Sequence, residues 1–354
     1  MSLIDRLGLS VPVLQAPMAG VSTPALAVAV SNAGALGAIG LGATDAAGAQ
    51  AMIKQVQAGT ERAFNVNLFV HATPQSDPLR EAAWLTWLQP LFARYGAPPP
   101  KALEAPYTSF NDDPDMFEML LALRPPVISF HFGLPAPDRV QALRGAGAIL
   151  LASVTSLAEA RMAEEAGMDA VVAQGVEAGG HRGVFDTTAP DDGLGTVALT
   201  RLLVSRVGCP VVAAGGVMDG AGVAAMLALG AAAAQLGTAF VVCPESGADA
   251  AYRQALLGPA ACHTRLVSGI SGRPARALPN RLTAMLEHET VPFAPAYPIA
   301  YAAAKALHAA AKAEGESGFG AQWAGQGAPL ARVMPAARLV RTLQAELALA
   351  RPQG

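Results

Sequence analysis

Short apolar runs alternate along the chain with longer, alanine-rich segments of helical length. This alternation is typical of consecutive βα units around a parallel sheet, whose strands are covered on both faces and read as continuous apolar runs. Eight strands are predicted, at Val13–Ala16, Leu36–Ile39, Phe64–Leu68, Val127–Phe130, Ala148–Leu151, Ala170–Ala173, Val211–Ala214 and Ala234–Leu236. Helices are predicted at Pro24–Asn32, Asp45–Ala58, Asp138–Arg144, Ser156–Ala166, Ala198–Val207 and Gly220–Leu229.

Eight βα units match a (β/α)8 TIM barrel, and a doubly wound open sheet is the alternative. Residues 71–126, between the third and fourth strands, are too long for a plain βα connection and predict an insertion with its own helices over one mouth of the barrel. Residues 244–354 predict a helical extension packed over the active-site face, with one helix from Pro298 to Lys312. The barrel would therefore occupy residues 1–243.

One segment, Ala224 to Cys243, is uncharged over about the length that a bilayer requires. Gly230, Gln235 and Thr238 interrupt it, so a helix, a turn and a short buried strand explain the segment better than a membrane span.

The amino-acid composition and the net charge exclude several classes of protein. With 52% hydrophobic and 14% charged residues, the 354-residue chain is not disordered. A net charge of −3 without a basic run argues against nucleic-acid binding. Three widely spaced cysteines, Cys209, Cys243 and Cys262, form neither a disulfide framework nor a CxxC metal motif. Together with a start that lacks the features of a secretion signal, they predict a cytoplasmic protein.

The most informative motif is the glycine-rich stretch from Gln174 to Gly183, which follows a predicted buried strand and contains His181. Glycines let the backbone approach a flat or anionic group closely, and histidine changes charge near neutral pH. The pattern suggests a cofactor platform with a catalytic group beside it. An ordinary glycine turn with a solvated histidine is the alternative.

Polar or glycine-rich residues recur at the carboxyl ends of the predicted strands, which form the catalytic face of a barrel. Gly215-Gly216 and Gly237-Thr238 follow the seventh and eighth strands, where barrels often bind phosphate through backbone N–H groups. Two tight turns without a ligand are the alternative. The phosphate could belong to a flavin mononucleotide (FMN), to another nucleotide or to a sugar phosphate.

Several stretches resemble class I nitronate monooxygenases, formerly called 2-nitropropane dioxygenases. The resemblance runs nearly end to end in the family's order, although residues 40–45 and much of 72–105 fit less closely. The matching stretches are Gln15 to Pro24, Asn65 to Phe69, Ser129 to Pro135, Gln174 to Gly183, Ala213 to Val217, Gln235 to Phe240, Ser271 to Arg276 and Trp323 to Gln326.

The resemblance implies an FMN-bearing barrel, without a metal or a nicotinamide, that oxidises alkyl nitronates such as propionate 3-nitronate with O2 to a carbonyl product plus nitrite or nitrate. It implies that FMN is held by Met18, Asn67, Gln174, Gly179, Gly180, Gly216, Gln235, Leu236, Gly237 and Thr238, with Trp323 and Gln326 closing over it. It implies a substrate site lined by Tyr107, His131, Tyr297, Tyr301 and Lys305, with His181 as the catalytic residue.

The spacing of the residues supports part of this site. Tyr297, Tyr301 and Lys305 are four residues apart and share one helix face, which would suit an anion, although an amphipathic edge at the solvent boundary gives the same pattern. His131 lies between two phenylalanines, so a core histidine is its alternative interpretation. Glu177, Arg182 and His308 are interpreted as solvated.

Two other function classes stay open. One is a flavin-dependent NAD(P)H reductase on the same barrel, resembling enoyl-carrier-protein or quinone reductases. The other is a non-redox phosphate-binding barrel. The sequence leaves open the physiological nitronate, the ratio of nitrite to nitrate and the oligomeric state.

Overall fold

The computed structural model describes residues 1–350 and has a parallel eight-stranded barrel at its centre. The barrel strands are β1 Val13–Gln15, β2 Gly37–Gly40, β3 Phe64–Phe69, β4 Val127–His131, β5 Ile149–Val154, β6 Ala170–Gln174, β8 Val211–Ala214 and β9 Ala233–Leu236. They lie in the order β1-β9-β8-β6-β5-β4-β3-β2, and a bridge between Leu14 and Leu36 brings β1 next to β2. The predicted TIM barrel is confirmed, and the open doubly wound sheet is not found.

The predicted helices are present, with ends shifted by a few residues, and other helices flank them. The first turn of several of them is capped by a side chain that accepts a backbone N–H, as Asp45 does from Gly48 and Asp219 from Gly222. The helices are α1 Leu3–Leu7, α2 Pro24–Asn32, α3 Ala46–Gly59, α4 Pro78–Arg94, α5 Pro114–Leu123, α6 Pro137–Gly145, α7 Leu157–Glu165, α8 Thr196–Val204, α9 Gly220–Ala228, α10 Thr238–Val241, α11 Ala250–Leu257, α12 Arg281–Met285, α13 Ile299–Ala313 and α14 Ala336–Ala350.

A small antiparallel sheet lies beside the barrel and was not predicted from the sequence. It consists of β7 Gly180–His181, β10 Arg265–Val267 and β11 Ala275–Ala277. In this sheet His181 lies opposite Ala275, and Gly180 lies opposite Arg276. The glycine-rich loop is therefore attached to a segment almost a hundred residues later in the chain.

Residues 71–126 and the segment after β9 pack against each other through one apolar cluster. Trp84 and Phe92 of α4 belong to this cluster together with Ala303 and Leu307 of α13. Side chains from both segments are thereby held near the same end of the barrel. The division of the chain at residue 243 stays a prediction.

The last helix, α14, packs on the outside of the barrel against α2 and α9. A side chain at Gly220 would place its Cβ 2.3 Å from the backbone nitrogen of Leu347, so only glycine permits this approach. Glu346 accepts the Gly220 N–H at 2.9 Å and also pairs with Arg332.

Across residues 1–350, no helix is both long enough and apolar enough to cross a bilayer. The uncharged segment from Ala224 to Cys243 runs through the end of α9, strand β9 and the short helix α10, in agreement with the predicted helix, turn and strand.

Candidate active site

A cavity of about 460 Å³ lies at the carboxyl ends of the barrel strands. Most of the candidate residues line it, although they come from distant parts of the chain. Those that do so are Met18, Asn67, Tyr107, His131, Gln174, Gly179, Gly180, His181, Gly216, Gln235, Gly237, Thr238, Tyr297, Tyr301, Lys305 and Trp323. Leu236 and Gln326 are not among its lining residues: Leu236 is buried in the apolar core and Gln326 is exposed.

The loop that carries His181 is fastened by Gln174. The Gln174 side-chain amide donates to the His181 carbonyl at 2.9 Å, and its oxygen accepts the Gly183 N–H at 2.7 Å. Most of the hydrogen-bonding capacity of this side chain is therefore used to shape the loop. Only the second amide hydrogen of Gln174 remains for a cofactor.

Arg182 is buried, so its interpretation as a solvated residue was wrong. Its guanidinium donates to the Gln174 carbonyl at 2.8 Å and pairs with Asp191 through two nitrogens, at 2.7 and 2.9 Å. Hydrogen bonding to Arg182 is the main cause of the lowered pKa of Asp191. A buried cation requires such partners, and here they fix the backbone directly after His181.

The His181 ring faces the cavity and is neutral. Its Nε2 lies 2.8 Å from the Ser271 hydroxyl, so Nδ1 is the ring nitrogen left for a substrate. Burial, followed by the charges of His131 and Arg273, lowers the pKa of His181 to about 3. Arg273 is itself buried, with its guanidinium 4.4 Å from the centre of the Phe132 ring.

His131 supports the same loop from the barrel side. Its Nε2 lies 3.2 Å from the His181 carbonyl, which can only accept, so Nε2 carries the hydrogen. Burial lowers the pKa of His131 to about 4, against a smaller opposing effect of that hydrogen bond. The side chain therefore has a structural partner and also borders the cavity.

A cationic and phenolic wall, formed by Tyr107, Tyr297, Tyr301 and Lys305, faces the histidines. The Lys305 ammonium lies 4.4 Å from the ring centre of Tyr107 and 5.1 Å from that of Tyr301, while the residue as a whole is exposed. Burial raises the pKa of Tyr301 to about 12 and also raises the pKa of Tyr107 and Tyr297. The phenols are therefore neutral hydrogen-bond donors beside one positive charge.

The glycine turn after β8 gives the backbone a conformation that other residues rarely adopt. Gly215 and Gly216 have φ angles of +128° and +71°. A Cβ on Gly215 would lie 2.5 Å from the Thr196 hydroxyl oxygen.

Glu177 accepts both the backbone N–H and the hydroxyl of Thr196, so its interpretation as a solvated residue was also wrong.

Ser129 is a cavity residue that the sequence analysis did not select. Its hydroxyl oxygen accepts the side-chain amides of Asn65 and Asn67, both at 2.9 Å, which fills its lone pairs. Its hydrogen is then free to donate into the cavity. Asn67 also donates to the Ser129 carbonyl, which leaves its side-chain oxygen as an acceptor beside that donor. The position of Ser129 near the carboxyl end of the predicted fourth strand was the available signal.

Residues 322–327 cross the glycine turns, and we call this segment the strap. Gly325 N–H donates to the Thr238 hydroxyl at 3.0 Å, and Gln326 N–H donates to the Glu177 carbonyl at 2.9 Å. The Tyr252 hydroxyl donates to the Trp323 carbonyl. Tyr252 lines the cavity and was also missed, because nothing in its local sequence distinguishes it from a core tyrosine of α11.

Comparisons with known proteins agree with this geometry. The family model described as nitronate monooxygenase matches residues 1–346. A nitronate monooxygenase of Paraburkholderia phytofirmans is 57% identical over 346 residues, covering 98% of this chain and 94% of the relative. One from Pseudomonas aeruginosa is 56% identical over 341 residues, covering 96% and 97%.

Solved structures show the same barrel. Nitroalkane oxidase from Streptomyces ansochromogenes superposes with a TM-score of 0.89 at 43% identity, covering 99% of this chain and 98% of that one. FabK from Thermotoga maritima superposes with a TM-score of 0.74 at 28% identity, covering 99% and 96%.

Proposed function

Since the chain belongs to the nitronate monooxygenase family, we propose that it uses FMN and O2 to oxidise alkyl nitronates, propionate 3-nitronate foremost. The products would be a carbonyl compound plus nitrite and nitrate. As a member of this family the protein is an oxidoreductase.

The observation that carries the proposal is the pairing of a neutral histidine with a cationic and phenolic wall in one cavity. A nitronate is already an anion, so its capture requires positive charge and hydrogen-bond donors rather than a strong base. Lys305 supplies the charge, and Tyr107 and Tyr301 beside it supply donors. Nδ1 of the neutral His181 would contact the nitro group.

The cavity residues fit FMN. The hydroxyl hydrogen of Ser129 and the side-chain oxygen of Asn67 form a donor–acceptor pair, which suits the alternating C=O and N–H groups of the flavin's pyrimidine ring. The glycine turns at Gly216 and Gly237 offer backbone N–H groups for a phosphate. When bound, the flavin supplies the electron-transfer chemistry.

The other proposed FMN contacts surround these two positions. They are Met18, Gln174, Gly179, Gly180, Gln235, Thr238 and Trp323, all of which line the cavity. Leu236 and Gln326 would act indirectly, Leu236 through the strand and Gln326 through its backbone bond to Glu177.

His181 has a second role when the substrate is a neutral nitroalkane. Such a substrate must lose a proton from carbon before it is oxidised, and Nδ1 of the neutral ring would accept that proton. The low pKa of His181, about 3, keeps the ring unprotonated at neutral pH, although it also limits the strength of the base. His131 and Gln174 hold the loop in place.

The absorbance spectrum of the purified protein, followed by anaerobic addition of propionate 3-nitronate, tests the proposal. We expect a yellow protein that releases FMN on denaturation and whose flavin absorbance bleaches when the nitronate is added. Rapid oxidation of NADH or NADPH without nitronate turnover would instead favour a reductase. A colourless protein that binds no added flavin would favour a non-redox phosphate-binding barrel.

A further inference from the structure

A second, smaller cavity of about 190 Å³ lies next to the active-site cavity, and we call it the side cavity. The two cavities share three lining residues, Ala43, Phe69 and Tyr107. The side cavity lies between the start of α3 and the loop that leads into α5. None of the roles assigned above to the active site accounts for it.

The rings of Phe69 and Tyr107 form the partition between the cavities. They meet edge to face, with their centres 6.3 Å apart, and neither residue is fully buried. A Cβ on Gly42 would lie 2.3 Å from the Phe69 ring, so the glycine provides the space that this ring occupies. The wall is thus formed by two aromatic side chains beside Ala43.

The side cavity has an apolar floor and an acidic mouth. Leu41, Leu68 and Phe110 of the floor are buried. Asp45 and Asp113 line the mouth, where each accepts a helix N–H, from Gly48 at 2.8 Å and from Met116 at 2.9 Å. Its lining, as far as the described residues go, includes no lysine or arginine.

The two cavities therefore differ in the charge that they present. Lys305 borders the active-site cavity next to Tyr107, whereas the residues on the other side of Tyr107 are apolar, uncharged polar or acidic. A carboxylate would be attracted to Lys305 and repelled from the side cavity. An uncharged hydrocarbon would gain nothing from Lys305 but could be shielded from water on the apolar floor.

We propose that the side cavity binds the uncharged alkyl tail of long-chain nitronates, with Phe69 and Tyr107 as the gate through which the tail passes. The inference rests on the proposed function, because the nitronate group is taken to lie at His181. Carboxylated nitronates would use Lys305 instead. The charge of the substrate tail would therefore decide whether the tail lies beside Lys305 or in the side cavity.

The dimensions give the chain length at which the side cavity begins to matter. The centre of the Phe69 ring lies 6.4 Å from that of His131, which contacts the His181 loop. An extended chain advances by about 1.2 Å per bond, so about five bonds span the distance between these two rings. We therefore expect ethyl and propyl nitronates to be too short to reach the gate, and hexyl and octyl nitronates to reach it.

The experiment is a kcat/KM series for alkyl-1-nitronates from ethyl to octyl, measured with the flavin-loaded enzyme. Each methylene that leaves water for an apolar site is worth up to about a fourfold gain. We expect kcat/KM to rise with chain length only beyond the length that reaches the gate. Thr108 lines the side cavity alone, is exposed and makes no side-chain hydrogen bond within residues 1–350, so it is the site to fill.

Thr108→Phe should lower the octyl-to-ethyl ratio of kcat/KM at least tenfold, whereas Thr108→Val, which keeps the volume, should preserve the ratio. Thr44→Phe fills the cavity from the other side and replaces Thr108→Phe if that variant is unstable. Lys305→Met should lower kcat/KM for propionate 3-nitronate relative to octyl nitronate, the opposite selectivity.

Equal chain-length profiles in wild type and both filled variants would overturn the inference. So would a wild-type profile that is flat from ethyl to octyl. If the wild type oxidises no nitronate at all, the proposed function fails instead, and the two failures are therefore distinguishable.

Discussion

At the scale of single residues, His181 is held on both sides. Its ring bonds to Ser271, and its carbonyl accepts hydrogen bonds from Gln174 and His131. Burial and the nearby cation Arg273 both disfavour protonation of His181, whose pKa is lowered to about 3. The ring is therefore placed to accept a proton or a hydrogen bond, but not to carry a lasting charge.

Replacing His181 tests its role as a base. We expect His181→Asn to retain FMN and to lower kcat/KM for nitroethane by about 10² to 10⁴, the usual loss when a general base is removed. The loss for ethyl nitronate should be much smaller, because that substrate has already lost its proton. The measurement is steady-state kinetics on both substrates. Equal losses would reduce His181 to a positioning residue.

Lys305 provides the second test at this scale. Its charge attracts an anion both before and during the reaction, so its removal should mainly weaken binding. We expect Lys305→Met to raise KM for propionate 3-nitronate at least tenfold while kcat changes less than threefold. Lys305→Arg, which keeps the charge, is the matched control. A fall in kcat at constant KM would contradict the role in capture.

At the scale of elements, the barrel strands and their helices were predictable because their signals are local. A buried parallel strand is a continuous apolar run, and a helix start carries a cap such as Asp45 or Asp219. The small sheet was not predictable, because β7 pairs with β11 across almost a hundred residues and neither strand is long enough to show a period.

The candidate site likewise contains residues that could be predicted from the sequence and residues that could not. The sequence, through its glycine-rich motif, its strand ends and its resemblance to a family, selected His181, Lys305 and most of the glycines, and the structure brings these residues to one cavity. It could not reveal that Arg182 is buried, because its partner Asp191 lies in a loop with no regular pattern. Nor could it reveal that the side-chain amide of Gln174 is hydrogen-bonded to the His181 loop.

The turn after β8 is the element whose proposed role is most directly testable. Gly216 has a φ angle of +71°, a conformation that asparagine and aspartate tolerate better than most residues. We expect Gly216→Asp to weaken FMN binding at least a hundredfold, because a carboxylate would meet the phosphate. Gly216→Asn has nearly the same size and no charge, so it should weaken binding far less. Fluorescence titration of the apoprotein with FMN measures both, and equal affinities would contradict a phosphate at this turn.

At the scale of the whole molecule, three histidines at or near the cavity are held in neutral form. Burial lowers the pKa of His71 to about 4, of His131 to about 4 and of His181 to about 3, from the ordinary value of 6.5. At a pH between these lowered pKa values and 6.5, the histidines of the unfolded chain bind protons that those of the folded chain do not. Stability must therefore fall as pH drops below about 6.5, whereas above that pH these groups have no effect.

We expect the free energy of unfolding to decrease between pH 6.5 and 5, with each histidine adding at most about 1.4 kcal/mol per pH unit. Denaturant titrations at several pH values measure this slope. His71→Phe removes one titrating ring outside the proposed catalytic residues and should make the slope shallower. An unchanged slope in that variant would show that His71 titrates normally in the folded protein.

The strap has a consequence for the order of events during biosynthesis. The bond between Gly325 and Thr238 joins residues 87 positions apart, so the last barrel strand is synthesised well before the segment that covers the glycine turns. While the strap is still inside the ribosome, a nascent barrel exposes these turns to solvent. A cofactor that binds before the chain is released would find the site open. A cofactor that binds afterwards requires the strap to move away from the glycine turns.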